Sequence, residues 1–211
     1  MGPEKPLLRG VSHQIFFFVA LIAGVLLVRW APPGPATFAA IVYATSLALL
    51  LGVSATYHRV SWEPGPRLWM RRLDHSAIFV LIAGTYTPLC MAMPEGRELA
   101  LALFWIAAAL GTLKSMLWPR SPKWVIAALC VAMGWGGVTL MPIIEARAGF
   151  AGLAMVIAGG VLYSAGAVIY AMKRPNPFPR VFGYHEVFHA LVVVAAGLHF
   201  AVMTEVVGGL R

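Results

Sequence analysis

The run ATFAAIVYATSLALLLGVSATY, residues 36–57, contains twenty-two residues without one charged side chain. The Pro- and Gly-rich segment WAPPGP, residues 30–35, precedes it, and His58 and Arg59 follow it. A helix needs about 20 mostly apolar residues to cross a bilayer core of roughly 30 Å. This run therefore predicts a transmembrane helix with sharply defined ends.

Six further runs of the same kind fill the rest of the chain. Apolar residues make up 60% of the 211 residues and charged residues only 11%, whereas a soluble domain carries about a quarter charged residues. The short connections contain proline and glycine, which end helices without leaving unpaired amides in lipid. We therefore expect an all-α bundle of seven transmembrane helices, formed by residues 1–211 as a single domain. The other six predicted spans are Val11–Val28, His75–Met93, Leu99–Leu117, Trp124–Ile143, Ala148–Ala171 and Gly183–Val206.

The basic residues are distributed unequally between the two ends of the predicted bundle. The chain has 16 Lys and Arg against 8 Asp and Glu, and twelve of the sixteen fall on the side of the N-terminus. The positive-inside rule places that side in the cytoplasm and the C-terminus outside. Because the basic residues form short clusters between apolar runs, they indicate membrane orientation, and we expect no nucleic-acid partner. The four basic residues on the side of the C-terminus are Arg29, Arg97, Arg147 and Arg211.

Ionisable residues near or inside transmembrane spans are costly, so each is a candidate for function. The predicted topology brings three helix ends to one level. His58 ends the second span, Asp74 and His75 open the third, and the segment His185–His189 opens the seventh.

Two histidines four residues apart on a helix can reach one ion without distorting the helix. His185 and His189 have this spacing, and His58 is the natural third ligand. Zinc with three protein nitrogens and one open position is the catalytic arrangement. We expect Asp74 to hold a water molecule there and accept its proton, and Ser54, one turn before His58, to hydrogen-bond that water or a developing oxyanion.

Other interpretations of these residues stay open. Asp74 could be only an N-cap of the third helix, a role that aspartate fills well. His75 could be a partner that orients a ligand or Asp74. We expect His13 and His199 to be hydrogen-bonded or solvated residues without a role at the metal.

The segment His185-Glu186-Val187-Phe188-His189 also matches the HExxH pattern of zinc proteases, in which the glutamate is the general base. With Leu73-Asp74 elsewhere, it is similar to intramembrane metalloproteases of the site-2 type. The similarity is imperfect, because residue 75 is His where a Leu-Asp-Gly motif has glycine, and because Asp74 precedes the HExxH helix instead of following it.

A longer set of motifs resembles the hemolysin III family, the bacterial branch of the progestin and adipoQ receptors. The family likeness extends over essentially all 211 residues. Its motifs are Ser54-Ala55-Thr56-Tyr57-His58, Arg71-Arg72-Leu73-Asp74-His75-Ser76 with Gly84-Thr85-Tyr86-Thr87-Pro88, Met133-Gly134-Trp135, and His185-x3-His189 with Gly197-Leu198-His199-Phe200.

This resemblance implies a multi-pass protein of the bacterial inner membrane with zinc near the cytoplasmic face. The implied ligands are His58, His185 and His189, with Asp74 holding a water, Ser54 in the associated serine position and Glu186 secondary. Related alkaline ceramidases imply a zinc-dependent hydrolase of a lipid amide or ester, with a membrane lipid as substrate. The family name supports an alternative, a non-enzymatic hemolysin, pore or regulator of membrane lipid state with structural zinc. The oligomeric state stays open.

Overall fold

A computed structural model describes residues 5–210, and it confirms the all-α class. Within these residues, helices are the only regular secondary structure apart from one isolated antiparallel bridge between Phe178 and Phe182. A short 3-10 helix, Gly136–Leu140, connects the fifth and sixth helices. The α-helices are α1 Val11–Trp30, α2 Pro35–Arg59, α3 Pro64–Met91, α4 Arg97–Leu117, α5 Lys123–Trp135, α6 Met141–Met172 and α7 Tyr184–Gly208.

The third helix begins earlier than the sequence predicts. It starts at Pro64, whose ring fixes a helical φ and whose missing N–H is not needed in a first turn. The predicted start at His75 is therefore wrong, because the polar turns before it are helical as well. Asp74 lies inside α3 and cannot be its N-cap.

The region of the fifth and sixth predicted spans is also divided differently. The predicted span Trp124–Ile143 is not one α-helix, since α5 ends at Trp135 and 3-10 geometry follows. The predicted break between Ile143 and Ala148 is replaced by a kink at Gly149, which has φ 67° and ψ −175°. Only glycine adopts such a conformation readily, so it sets the position of the break.

Between residues 5 and 210, five helical stretches are long and apolar enough to cross a membrane. One of them is the 50-residue stretch from Lys123 to Met172, which contains the kink. The other four are α1, α2, α4 and α7. The chain is therefore a multi-pass membrane protein.

Each helix packs mainly on its neighbour in the chain, and α7 also packs on α1, α2 and α3. Helix α1 shows how the sequence encodes this arrangement. Its buried residues His13, Ala20, Gly24 and Leu27 form one stripe, and the opposite face exposes large apolar side chains. Small residues on the inner stripe allow close helix approach, and the apolar outer face suits lipid.

Contacts between distant segments define the two ends of the bundle. At one end, called the basic end here, Lys5 Nζ donates to the Val60 carbonyl, and the Leu7 amide donates to the Arg180 carbonyl. At the other end, Arg147 contacts the carbonyl of Gly209. Arg211, which the charge count placed at that second end, lies outside the described residues.

Candidate metal centre

Three histidines from two helices meet at the basic end. His58 lies in the last turn of α2, and His185 and His189 lie in the first turns of α7. All three are buried, and one nitrogen from each ring lies within 4.8 Å of the others. The closest pair is His185 Nε2 and His58 Nε2, which are 3.1 Å apart. The structure thus brings together the three histidines that the sequence singled out.

This cluster fits a divalent cation such as zinc. Two nitrogens bound to one tetrahedral zinc lie about 3.3 Å apart, close to the observed separation of the His58 and His185 nitrogens. The Nδ1 atoms of His185 and His189 are buried without a hydrogen-bond partner among residues 5–210. Their rings are therefore not held in place by competing hydrogen bonds from those atoms. Imidazole nitrogens suit zinc, copper, iron and nickel. Three histidines therefore restrict the candidate metals to this group without identifying which one binds.

Asp74 and Ser54 lie beside the cluster. Asp74 Oδ2 is 3.9 Å from His58 Nε2, and the Asp74 side chain is only 13% exposed. Ser54 is buried one turn before His58 on α2, and it lines the same cavity as Asp74 and the three histidines. A carboxylate and a hydroxyl within reach of three imidazoles can hold a water molecule and receive a proton from it.

His75 contacts a residue that the sequence analysis did not single out. Its Nε2 atom lies 3.5 Å from the Tyr170 hydroxyl oxygen. The Tyr170 ring in turn lies 5.7 Å from the His185 ring, measured between centroids. His75 is thus connected to the cluster through Tyr170, which is consistent with an orienting role.

Glu186 makes its contacts with residues outside the histidine cluster. One of its carboxylate oxygens accepts from Arg9 Nε, and the other accepts from the Gly183 amide at 2.8 Å. The Glu186 side chain is 2% exposed and that of Arg9 is 20% exposed. The first contact fixes the segment before α1 to α7, the second caps the first turn of α7, and both oxygens are therefore occupied. This arrangement does not suit the general base of an HExxH protease.

The segment before α1 lies directly against His58. Gly10 has φ 78°, and a Cβ added to it would lie 2.7 Å from His58 Cβ. Position 10 therefore requires glycine for two reasons, its positive φ and the close approach of His58. The same segment carries Arg9, which contacts Glu186, so it touches both the end of α2 and the start of α7.

The expectation that His13 is a hydrogen-bonded or solvated residue is wrong. Its ring stacks on the His189 ring with a centroid separation of 3.8 Å and an interplanar angle of 5°. His13 is 2% exposed, and both of its ring nitrogens lack a partner within the described part of the chain. A signal was available, because the predicted topology puts the start of the first span at the level of the other histidines.

His199 lies apart from the cluster, as expected. Its Nε2 atom is 3.2 Å from the Val156 carbonyl oxygen, so it belongs to the contact between α6 and α7.

A cavity of about 320 Å³ extends from the cluster into the bundle. Along α7 its lining runs from Tyr184 to Met203, which corresponds to about 28 Å of helix. Its walls are mostly apolar. Polar groups concentrate at the basic end, where the lining includes His13, Ser54, His58, Asp74, His185 and His189.

The sequence matches a known family and several relatives. The family model described as haemolysin-III related matches residues 1–200. The chain is 31% identical to Hemolysin-3 of Bacillus cereus, over 93% of this chain and 89% of that protein. It is 25% identical to the Hemolysin-3 homolog of Bacillus subtilis (strain 168), over 95% and 93% of the two chains. It is also 30% identical to the heptahelical transmembrane protein ADIPOR2 of Oryza sativa subsp. japonica, over 75% of this chain and 77% of that protein. This chain therefore belongs to the hemolysin III family, the bacterial branch of the progestin and adipoQ receptor family.

Proposed function

We propose that this protein is a zinc-dependent hydrolase that cleaves an amide or ester bond of a membrane lipid. The observation that carries the proposal is the position of the histidine cluster. His58, His185 and His189 meet beside Asp74 and Ser54 at the polar end of a long, mostly apolar cavity. A lipid has the same division, with a polar linkage at one end and an acyl chain at the other.

The chain's own residues divide the chemistry between them. The three imidazoles would hold zinc, which supplies a Lewis acid that polarises a carbonyl oxygen and acidifies a water molecule. Asp74 orients the attacking water and takes its proton on Oδ2, then passes it to the leaving nitrogen or oxygen. Ser54 donates a hydrogen bond to Asp74 or to the oxygen on which negative charge develops. The apolar walls hold the acyl chain and exclude bulk water.

The proposal includes seven membrane crossings within a single domain of residues 1–211. The kink at Gly149 supports it, because α6 packs on α5 and two crossings in that stretch require the chain to reverse direction. The contacts of Lys5, Arg9, Lys123 and Arg180 at the basic end support a cytoplasmic N-terminus by the positive-inside rule. The membrane would be the bacterial inner membrane.

Metal content and lipid turnover of the purified protein test the proposal. The protein, reconstituted in vesicles, is incubated with a ceramide, an N-acyl amino acid and a phospholipid, and released fatty acid is measured by mass spectrometry. We expect one zinc per chain and release from at least one substrate. His58→Ala, His185→Ala and His189→Ala together should abolish both.

His199→Ala is the matched control, because it removes a histidine of α7 that lies outside the cluster. It should retain the zinc content of the wild type. Zinc that survives the triple substitution would eliminate the proposed site. A zinc-loaded protein that releases no fatty acid from any of the three lipid classes would eliminate the hydrolase.

The depth of the cavity supports a second candidate, a pore or lipid-state regulator with structural zinc. A pore needs a path across the hydrocarbon core, which is roughly 30 Å thick, and the cavity follows α7 for nearly that distance. Thr85, Ser164 and His199 add polar groups to its inner part. Conductance in a planar bilayer that persists in Asp74→Asn, together with no lipid turnover, would favour this candidate.

A further inference from the structure

We propose that His13 is a positioning residue of the metal centre. Its ring, stacked on His189, holds that imidazole at the angle at which it meets the ion, and His13 does not bind the ion itself. This inference rests on the metal site of the proposed function and adds a fourth histidine, from a third helix, to its architecture.

The parallel stack excludes His13 as a ligand of the same ion as His189. An imidazole nitrogen binds a metal through a lone pair in the plane of its ring, so the ion lies in that plane. The planes of His13 and His189 are within 5° of parallel, with ring centroids 3.8 Å apart. One ion cannot lie in both planes. The contacts among the three proposed ligands differ, since their rings are inclined to one another by 54° to 66°.

His189 needs an orienting contact that its own hydrogen bonds do not supply. Histidine ligands almost always donate their second ring N–H to a carboxylate, a carbonyl or water, which fixes the ring orientation. His189 Nδ1 is buried and has no such partner within residues 5–210. A flat ring packed face to face resists rotation about the bond between Cβ and the imidazole. The His13 stack can therefore provide the restraint that a hydrogen bond gives elsewhere.

Direct contact between the His13 nitrogens and a substrate is not supported. Both nitrogens are buried, even though the residue contributes to the cavity wall. What His13 presents to the cluster is the face of its ring. The close approach of Gly10 to His58 fixes the start of α1 beside the cluster and so sets where this face lies.

The test compares His13→Leu, which fills the space without a flat ring, with His13→Phe, which keeps a flat ring without nitrogens. Full-length protein is purified in detergent, and zinc affinity is measured by competition with a chelator. The visible absorption of the cobalt-loaded protein reports the geometry of the ligands. His199→Leu is the matched control, a histidine of α7 that contacts the Val156 carbonyl and not the cluster.

We expect His13→Leu to weaken zinc binding by about 10- to 100-fold, the range for residues that orient metal ligands, and to alter the cobalt spectrum. His13→Phe and His199→Leu should keep the wild-type affinity and spectrum. Wild-type zinc affinity in His13→Leu would overturn the inference. Weaker affinity with an unchanged cobalt spectrum would overturn it as well, since that result indicates a general loosening of the protein around the site.

If His13→Phe folds and binds zinc as weakly as His13→Leu, the ring stack is not the cause. If His13→Phe does not fold, the zinc affinity and the cobalt spectrum of His13→Leu decide. Wild-type protein that binds no zinc would instead overturn the proposed function and this inference with it.

Discussion

The buried ion pair between Arg9 and Glu186 allows the role of the HExxH glutamate to be tested quantitatively. Removing Arg9 leaves a carboxylate that is 2% exposed without its partner. Breaking a buried pair in this way costs about 3–5 kcal/mol. Removing the charge of Glu186 leaves an arginine that is 20% exposed and can extend toward solvent. The loss is then that of one hydrogen-bond partner, about 1–3 kcal/mol. Glutamine at 186 can still accept the hydrogen bond from the Gly183 amide.

We therefore expect Arg9→Met to lower the free energy of unfolding by about 2 kcal/mol more than Glu186→Gln does. The double variant should recover part of the loss, with a coupling energy within about 0.5–3 kcal/mol. Unfolding in mixed micelles with increasing SDS measures all four proteins, and zinc content is measured in parallel. Glu186→Gln should retain its zinc and its lipid turnover. Equal, additive losses would contradict the assigned pairing, and a stable Glu186→Gln protein that has lost all turnover would restore the HExxH mechanism.

Asp74→Asn should keep the zinc content but lower lipid turnover by about 100- to 10,000-fold, the contribution of a general base; equal turnover in a kinetic assay would remove Asp74 from the mechanism. Gly10→Ala should weaken zinc binding in chelator competition because its Cβ meets His58. Gly96→Ala, with φ 71° and an added Cβ no closer than 3.9 Å to Met93 Cε, should lose only stability; equal zinc affinities in the two variants would contradict a role of the Gly10 contact in holding His58. Chelation should abolish turnover, and zinc but not magnesium should restore it, because imidazole is a poor ligand for magnesium; turnover that survives complete metal removal, measured by mass spectrometry, would show that the metal is structural.

The fold class could be predicted from the sequence because burial in lipid requires long apolar runs, and such runs are local features. The ends of the helices were less predictable where polar residues are also helical. Helix α3 begins at Pro64, and its first turns are polar yet helical. A hydropathy pattern registers the start of the apolar part near His75 and misses those turns. The break near Gly149 was predicted a few residues too early, between Ile143 and Ala148, because a hydropathy pattern registers the polar residues Glu145 and Arg147 and not the backbone conformation of a glycine.

The candidate ligands could also be predicted from the sequence, since His185 and His189 are one helical turn apart and the topology placed His58 at their level. The actual proximity of His58 to α7 depends on how α2 and α7 pack. The carboxylate of Glu186 illustrates what the motif could not determine. The HExxH pattern is the same whether Glu186 faces the cluster or Arg9, and only the packing of the segment before α1 directs it toward Arg9.

The membrane-embedded helical class and the residue types able to hold a metal follow from the sequence, because both depend on side-chain chemistry and spacing within one helix. Which residues from different helices touch depends on how the helices pack. This packing places His13 face to face with His189 and Tyr170 between His75 and His185. Such contacts depend on the rotation and tilt of each helix within the bundle, which are set by the packing of all the helices together and not by any single segment.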